Sequence, residues 1–419
     1  MKCSICGEGS YVIYTLDDKT LYCPKCWFKS GNKLPEPPKK RDIKIPFDKE
    51  FILTHVCDAN CRNWGERLVL ACTQELFKKY VINPKLIRVV AEPTMEYDKT
   101  DYPYLEFGMN GVEILLNNTH AILIGGGGTF NFLRYHFGKV VGNVHRPLIV
   151  FASGWNRLGF KPIKDDEEQI LTDAHIQTIK EIQRESLFFS VRKDGTRQFL
   201  EEYGISSIES PDPAIFADEF YDKKIPMFEK PYVVISIGGD YTNGRFTIND
   251  VLVDNLADEI VKIVEHLLSK SKNLDIVITQ HREQDFFFTK KLPNNDRIKF
   301  VTWEELMSNP IEWGTSIYAN ADFIIASRGH ALYLAVSYGI PFIAISDYKK
   351  IEYICEAYGM EDYCFRITEN NLSEEVNEAF DTLKHSSRVI KRKLAKHREE
   401  MKGEGRSQCK EIAEKITKI

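Results

Sequence analysis

The stretch "ANADFIIASRGHALYLAVSYGIPFIAISDYKKIEYI", Ala319–Ile354, decides the fold. It holds two short apolar segments, each ending in polar residues, with a helix-length segment between them. The first apolar segment ends at Arg328 and His330, which flank Gly329, and the second is followed by Lys350. A strand, a helix and a second strand in this order predict a parallel βαβ unit.

The same alternation extends toward the N-terminus in two successive series, which we assign to residues 47–226 and 227–368. The second series begins at "KPYVVISIGGD", after the polar segment "ADEFYDKKIPMFEKP". Strands separated by helices of this length predict parallel sheets with helices on both faces. The sequence therefore predicts an α/β fold with two Rossmann-like, doubly wound domains. The charged tail, 369–419, predicts helices that pack on the outside with a solvated face.

Composition places the chain among ordinary globular enzymes. Of its 419 residues, 43% are hydrophobic and 28% are charged, and the net charge is −5. This overall balance gives no reason to expect a nucleic-acid partner. The apolar runs fall short of the roughly 18 residues that a membrane-spanning helix needs. With no signal-like segment either, we expect no membrane span and a cytoplasmic protein.

Residues 1–30 carry two C-x-x-C pairs, and residues 31–46 form a proline- and lysine-rich linker. Cys3, Cys6, Cys23 and Cys26 have the spacing of a tetrahedral thiolate site on a hairpin. We predict a zinc-ribbon-like module with a structural zinc ion, because four thiolates leave no open position for catalysis. A redox dithiol is less favoured, since it needs only one C-x-x-C. A homo-oligomer or a docked protein is the partner expected for this module.

Residues that directly follow the strands are the candidates for binding, because ligands of parallel sheets lie outside the carboxyl ends. Arg192, Arg328 and Lys350 follow three such strands, and His330 follows Arg328 closely. Arginine matches the geometry of a carboxylate or phosphate, and histidine moves protons near neutral pH. A "GGGG" run at 125–128 lacks the Gly-Lys-Ser/Thr of a phosphate loop. We predict a small, highly anionic ligand between the two domains.

These landmarks, in this order, resemble the polysaccharide pyruvyl transferase family, over about residues 50 to 365. The stretches that carry the resemblance are "NWGERL", "LIGGGGTF", "FFSVRKDGTRQFLEEYGI", "PDPAI" and "ADFIIASRGHALYLAVSYGIPFIAISDYKKIE". The resemblance implies two domains facing across a cleft, as in GT-B glycosyltransferases. It also implies transfer of pyruvate from phosphoenolpyruvate onto a sugar or glycan as a ketal, without a catalytic cofactor.

Motif matching with the family gives the expected site residues. The donor side comprises Arg192, Arg328, Gly329, His330 and Lys350, and the weaker acceptor side comprises Asn63, Gly126 and Gly127. Arg192 and Arg328 are expected to hold the anionic groups of the donor. His330 is either the proton donor or a phosphate ligand, and both roles stay open. His120, His136, His145 and His281 are further histidines that could reach the cleft, although a lone histidine is more often structural.

The sequence departs from the family pattern in three places. The usual Asn-x-Gly-Asp ends in Glu66, the carboxylate after Arg192 is displaced by one residue to Asp194, and "FASGWNRLGF" replaces Gly-Ile-Gly-Pro. These changes bear mainly on the acceptor side. Two alternatives therefore stay open: a GT-B glycosyltransferase that uses a nucleotide sugar, and a non-catalytic binding scaffold.

Overall fold

A computed structural model gives the architecture of the chain. It describes residues 14–15, 21–22, 51–57, 63–81, 87–93, 120–128, 130, 146–155, 173–221, 225, 228–229, 231–239, 250–367 and 371–418. Most of the described residues belong to two parallel six-stranded sheets and the helices that cover them. The predicted fold class is confirmed: two Rossmann-like domains face each other across a cleft.

The N-terminal sheet has the strand order β4-β3-β5-β6-β7-β8, with every neighbouring pair parallel. Its strands are β3 Phe51–Cys57, β4 Ile87–Pro93, β5 Ala121–Gly125, β6 Leu148–Ser153, β7 Ser186–Arg192 and β8 Ile208–Ser210. Every residue of β5 and β6 is buried, as expected for strands covered on both faces.

The C-terminal sheet has the order β11-β10-β9-β12-β13-β14 and is also parallel throughout. Its strands are β9 Tyr232–Ser236, β10 Asp275–Thr279, β11 Ile298–Val301, β12 Phe323–Ala326, β13 Phe342–Ser346 and β14 Cys364–Arg366. The βαβ unit predicted from Ala319–Ile354 is β12 and β13, which pair directly.

Helices follow most of the strands. Those described are α1 Trp64–Tyr80, α2 Asp173–Glu185, α3 Thr196–Glu201, α4 Ala217–Phe220, α5 Asp250–Lys270, α6 Trp303–Ser308, α7 Ile311–Ala319, α8 Gly329–Tyr338, α9 Lys349–Tyr358 and α10 Leu372–Ile416. α8 is buried along its whole length after Gly329 because its Ala, Leu and Val residues lie between other helices. None of the described helices is both long and apolar enough to span a membrane.

The C-terminal tail forms one continuous helix, α10, of 45 residues. It contacts α5, α9 and β14 of the C-terminal half and also α1, β7 and β8 of the N-terminal half. Polar contacts fix it to the N-terminal sheet: Lys193 Nζ lies 2.7 Å from Glu404 Oε2, and Lys415 Nζ donates to the Leu187 carbonyl at 2.9 Å. The tail therefore joins the two halves, and much of its inner face is buried.

Before residue 51 the structure describes two short strands, β1 Tyr14–Thr15 and β2 Leu21–Tyr22. They pair antiparallel, with Tyr14 opposite Tyr22. This pairing agrees with the hairpin expected between the two cysteine pairs. The four cysteines of the predicted zinc site lie outside the described residues.

Candidate functional site

Each sheet contains a switch point, where the order of strands reverses relative to the chain. It lies between β3 and β5 in the N-terminal sheet and between β9 and β12 in the C-terminal sheet. Open parallel sheets bind their ligands in the crevice outside the carboxyl ends of the strands at such points. The residues that follow these four strands therefore form the candidate site.

At the C-terminal switch point, β12 leads directly into α8. Arg328 is the N-cap residue of α8, which begins at Gly329. The Gly238 N–H, just after β9, donates to Ser327 Oγ at 2.7 Å and ties the two strand ends together. The first N–H groups of a helix have no intrahelical acceptor, so the start of α8 is suited to an anion.

Arg328 is held by the carboxylate of Asp285, a side chain with no exposed surface. Arg328 Nε donates to Asp285 Oδ2 at 3.0 Å, and a second guanidinium nitrogen donates to Oδ1. The same carboxylate accepts the backbone N–H of Gly239 at 3.0 Å, of His281 at 3.0 Å and of Arg282 at 3.1 Å. Five donors on one carboxylate fix the guanidinium beside the start of α8.

At the N-terminal switch point, the glycines after β5 leave space for the carboxylate of Glu66. Gly126 and Gly127 have φ angles of 71° and 79°, in the region that favours glycine. A Cβ on Gly127 would lie 1.8 Å from Glu66 Oε2, so the carboxylate of Glu66 occupies that space. Asn63 is the N-cap of α1 and accepts the Gly65 N–H on its Oδ1 at 2.9 Å. The Asn-x-Gly-Glu stretch thus directs Glu66 toward the glycine run.

The two switch points meet at Gly65 and His330. A Cβ on Gly65 would lie 2.3 Å from His330 Nδ1, so the imidazole packs directly against the glycine backbone. Beside this contact, the backbone N–H of Trp64 donates to the His281 carbonyl at 3.0 Å. The indole ring of Trp64 stacks on the ring of Tyr318. These contacts hold the two halves together at the base of the cleft.

A buried ionic cluster lies next to His330. Arg192, with no exposed surface, has its Nε 2.9 Å from Asp194 Oδ2 and its Nη1 3.1 Å from Asp212 Oδ2. Lys350 Nζ lies 3.5 Å from Asp194 Oδ2 and comes from the C-terminal half. The cluster therefore crosses between the halves, and the displaced carboxylate of Asp194 still pairs with Arg192.

The end of β6 makes room for Arg192. A Cβ on Gly154 would lie 2.1 Å from Arg192 Nη2, so only glycine fits above the guanidinium. Ala152, two residues earlier, has a φ of 49°, and its N–H donates to Ser190 Oγ at 3.1 Å. The "FASG" segment, which departs from the family pattern, thus packs over the cationic side of the site.

Comparison with known proteins agrees with this arrangement. The sequence model of the family described as "Polysaccharide pyruvyl transferase" matches residues 63–347, more than half of the chain. The chain belongs to the polysaccharide pyruvyl transferase family. It is therefore an enzyme of the transferase class. No curated protein matches it in overall sequence.

Solved structures similar to this pyruvyl transferase family member share only its fold. They include the S. aureus MnaA–UDP co-structure, with 13% identity, a TM-score of 0.52, and coverage of 83% of this chain and 91% of that one. UDP-GlcNAc 2-epimerase from Neisseria meningitidis bound to UDP-GlcNAc has 12% identity, a TM-score of 0.51, and coverage of 88% and 100%. The Methanocaldococcus jannaschii UDP-GlcNAc 2-epimerase complex with UDP-GlcNAc and UDP has 13% identity, a TM-score of 0.50, and coverage of 79% and 92%.

The electrostatics of the transferase site centre on His330. Within the described part of the chain its Nε2 is buried and has no hydrogen-bond partner. Burial, and then the positive charges of Arg192 and Lys350, hold the pKa of His330 well below its usual value. Burial and Arg192 also lower the pKa of Lys350 to about 8, although Asp194 opposes this. His330 is therefore neutral at pH 7, while Lys350 is mostly protonated.

The two carboxylates next to Arg192 stabilise its charged form and so affect its pKa. Burial alone lowers it, but Asp194 and Asp212 together raise it above the usual arginine value. Burial raises the pKa of Asp212, because it disfavours the charged carboxylate, and Arg192 opposes that shift. The guanidinium therefore stays charged and paired with both carboxylates.

The structure brings Arg328, Gly329, His330 and Lys350 together at the starts of α8 and α9, with Arg192 beside them at the end of β7. The predicted acceptor residues lie at the start of α1 and just after β5. Their assigned roles stay predictions. His281 lies in the site and donates to, or accepts from, the Tyr318 hydroxyl at 2.6 Å. His120 directly precedes β5, while His136 and His145 lie outside the described residues.

Sequence reasoning missed several residues of the site. Asp212 lies in the "PDPAI" motif, so its position was visible but its pairing with Arg192 was not. Asp285 and Tyr318 had no sequence signal, because each reaches the site from a segment that carries no motif. Trp64 lies inside "NWGERL", but the residue of this stretch that was predicted to belong to the site is its neighbour Asn63.

Proposed function

We propose that the chain transfers pyruvate from phosphoenolpyruvate onto two hydroxyls of a sugar or glycan, forming a ketal. One observation carries this proposal: the neutral Nε2 of His330, which has no hydrogen-bond partner among the described residues, lies among the cations Arg192, Arg328 and Lys350, where the two halves meet. Family membership supports the same reaction.

Phosphoenolpyruvate carries a carboxylate and a phosphate on three carbons, so it suits a site with cations on more than one side. We assign the binding of the two anionic groups to Arg328, Lys350 and the first N–H groups of α8, and the contact of Arg328 with Asp285 supports this role. Arg192 is enclosed by Asp194 and Asp212, which balance its charge, and we assign it the role of holding Asp194 beside Lys350.

Donor binding changes the protonation of His330. Burial and the nearby cations lower the pKa of His330. The negative charges of phosphoenolpyruvate would offset the cations, so we propose that the pKa rises on donor binding and that Nε2 takes up a proton. We propose that Nε2 then protonates the methylene carbon, which leaves positive character at the central carbon. The alternative role, hydrogen bonding to the departing phosphate, uses the same nitrogen.

The acceptor completes the reaction on the opposite side. A sugar hydroxyl attacks the central carbon and loses its proton. The bond between that carbon and the phosphate oxygen then breaks, and a neighbouring hydroxyl adds to the carbon, closes the ring and gives its proton to the departing phosphate. We propose that the Glu66 carboxylate, which lies beside Gly127, accepts the first hydroxyl proton. Asn63 and the backbone of Gly126 line the same side, where we place the sugar.

The first experiment measures phosphate release from phosphoenolpyruvate with a panel of galactosides, mannosides and amino sugars. Wild type is compared with Arg328→Ala and His330→Ala, and calorimetry records donor binding. Acceptor-dependent release that both substitutions abolish supports pyruvyl transfer. If wild type neither binds phosphoenolpyruvate nor releases phosphate, the donor assignment is wrong, and a panel of nucleotide sugars is tested next.

Calorimetry also tests the protonation step. Binding measured at pH 7 in two buffers of different ionisation enthalpy gives the number of protons taken up. We expect about one proton per donor in wild type and close to none in His330→Gln, if that variant still binds. Binding without proton uptake in wild type would favour the phosphate-ligand role.

The N-terminal module is proposed to be a structural zinc ribbon held by Cys3, Cys6, Cys23 and Cys26. Support comes from the cysteine spacing and from the antiparallel pairing of β1 and β2 between the two pairs. A module this short buries little apolar surface, so metal binding would supply much of its folding free energy.

A further inference from the structure

A strongly basic segment lies in the middle of α10. Residues 384–398, "KHSSRVIKRKLAKHR", contain seven Lys and Arg residues and no Asp or Glu. The chain as a whole has 56 basic and 61 acidic residues, so the charge of this segment is opposite in sign to the net charge of the chain. The transferase site does not use it.

The cations of this segment form a stripe on the solvent side of the helix. Helical spacing places on one face the exposed residues Lys384, Arg388, Lys391, Arg392 and Lys396, which we call the basic stripe. The opposite face packs into the core through the buried Leu383, Ile390 and Leu394. Packing against the protein therefore explains the inner face of α10 but not the stripe.

Two other cations of the segment have structural partners. Arg398 Nη1 donates to the Ser337 carbonyl at 2.8 Å, near the end of α8. Lys393 lies against Gly359, the C-cap of α9, where a Cβ would be 2.6 Å from its Cε. Both complement the negative ends of helix dipoles, and we exclude them from the stripe.

The basic stripe has little internal pairing. Among the described residues its one ion pair is Lys396 with Glu400, at 3.9 Å on an exposed surface. Such a pair contributes at most about 1 kcal/mol to stability. Several uncompensated like charges on one helix face repel each other, so a purely structural role does not account for them.

The position of the stripe is set by its neighbours. The site lies at the N-terminal ends of α8 and α9, whereas Arg398 and Lys393 contact the C-terminal ends of these helices. The stripe is therefore at the end of the C-terminal sheet that faces away from the cleft. A partner bound there leaves the cleft open.

We propose that the basic stripe docks the protein on an anionic lipid surface. A cluster of four to eight Lys and Arg residues on an amphipathic helix is typical of binding to acidic headgroups. Val389, at the edge of the stripe, is 64% exposed and is suited to the boundary of headgroups and acyl chains. The segment 384–398 has no aromatic residue to stack on bases, so single-stranded nucleic acid fits it less well.

The test is co-sedimentation of the full chain with vesicles of phosphatidylcholine, with and without phosphatidylglycerol. The stripe variant replaces Lys384, Arg388, Lys391 and Arg392 with Glu. The control variant replaces Lys180, Lys272, Lys290 and Lys410, four exposed lysines elsewhere, with Glu and so has the same net charge. Circular dichroism verifies that both variants are folded.

Wild type and control are expected to bind the phosphatidylglycerol vesicles in a salt-sensitive way. The stripe variant is expected to lose at least about 100-fold in partition coefficient. The proposal is overturned if wild type does not prefer phosphatidylglycerol, or if both variants lose binding equally. It is also overturned if a DNA duplex binds the stripe more tightly than the vesicles do. Phosphate-release activity does not enter this test, so its outcome is independent of the proposed reaction.

Discussion

His330 of α8 occupies the space that a side chain on Gly65 of α1 would need, with Nδ1 2.3 Å from where that Cβ would be. The two residues belong to opposite halves of the molecule. Gly65 therefore sets how closely the halves approach and where the imidazole lies. The presence of glycine between Trp64 and Glu66 is explained by this contact.

We predict that Gly65→Ala lowers kcat/KM for phosphoenolpyruvate by about 100-fold, because a displacement of about 1 Å of a reacting group has effects of this size. The measurement is steady-state phosphate release. The matched control is Gly403→Ala on α10, where a Cβ would meet no atom within 4 Å. Unchanged activity in Gly65→Ala would show that His330 does not need its observed position.

The pKa of Lys350 predicts how kcat/KM for phosphoenolpyruvate changes at alkaline pH. This pKa is about 8, so the lysine loses its proton and its attraction for the donor as the pH rises through that value. We expect kcat/KM for phosphoenolpyruvate to fall above pH 8. Asp194 raises the Lys350 pKa, so Asp194→Asn should move this fall to lower pH. Glu356→Gln, at an exposed position of the same helix, should leave it in place.

Deprotonation of Lys350 should affect stability and activity in opposite directions: it lowers activity but stabilises the folded protein. Since the folded-state pKa of Lys350 lies below that of an unfolded lysine, the unfolded chain binds more protons between about pH 8 and pH 10. The contribution of Lys350 to the free energy of unfolding therefore rises with pH in this window. In Lys350→Met that contribution is absent, and chemical denaturation at pH 8 and pH 10 compares the two proteins.

Asp285 is predicted to be essential for placing Arg328. Asp285→Asn keeps the shape but removes the charge and turns one acceptor into a donor facing N–H groups. We expect a loss of about 3 kcal/mol in the free energy of unfolding and at least a 10-fold fall in kcat/KM. Asp258→Asn, which breaks an exposed pair with Lys291, should change stability by less than about 1 kcal/mol. Equal effects of the two substitutions would contradict the positioning role.

Metal analysis tests the N-terminal module. We expect about one zinc ion per chain after purification without chelators, and loss of that zinc in a Cys23→Ser/Cys26→Ser variant. Phosphate-release activity should persist in this variant, because the transferase site is built from residues beyond 60. Wild type that contains no metal, with its thiols reduced, would rule out the zinc ribbon.

The fold was largely predictable because parallel strands covered on both faces are continuous apolar segments, and these are visible in β9, β12 and β13. The placement of Arg328 and His330 at a strand end was predictable for the same reason. Strand order was not, since it depends on which segments pair. The role of Asp285 was also hidden, because it arises only when a loop after β10 folds back onto the β12 end.

The ionic partners of Arg192 illustrate the same division. Its position at the end of β7 follows from the local apolar pattern, which ends there. Its complete burial depends on Asp212 from a separate segment and on the open space above Gly154. Contacts between distant segments decide such burial, and a single sequence gives little information on them.

The long helix α10 has a consequence for how the chain folds during synthesis. Residues 402–416 cover β7, β8 and the helices beside them, so the N-terminal sheet keeps apolar surface exposed until this segment has left the ribosome. Nascent chains that stop before it would present this surface to other molecules and aggregate. The N-terminal half is thus synthesised before the segment that covers it, and its maturation depends on residues 402–416 of α10, which are translated later.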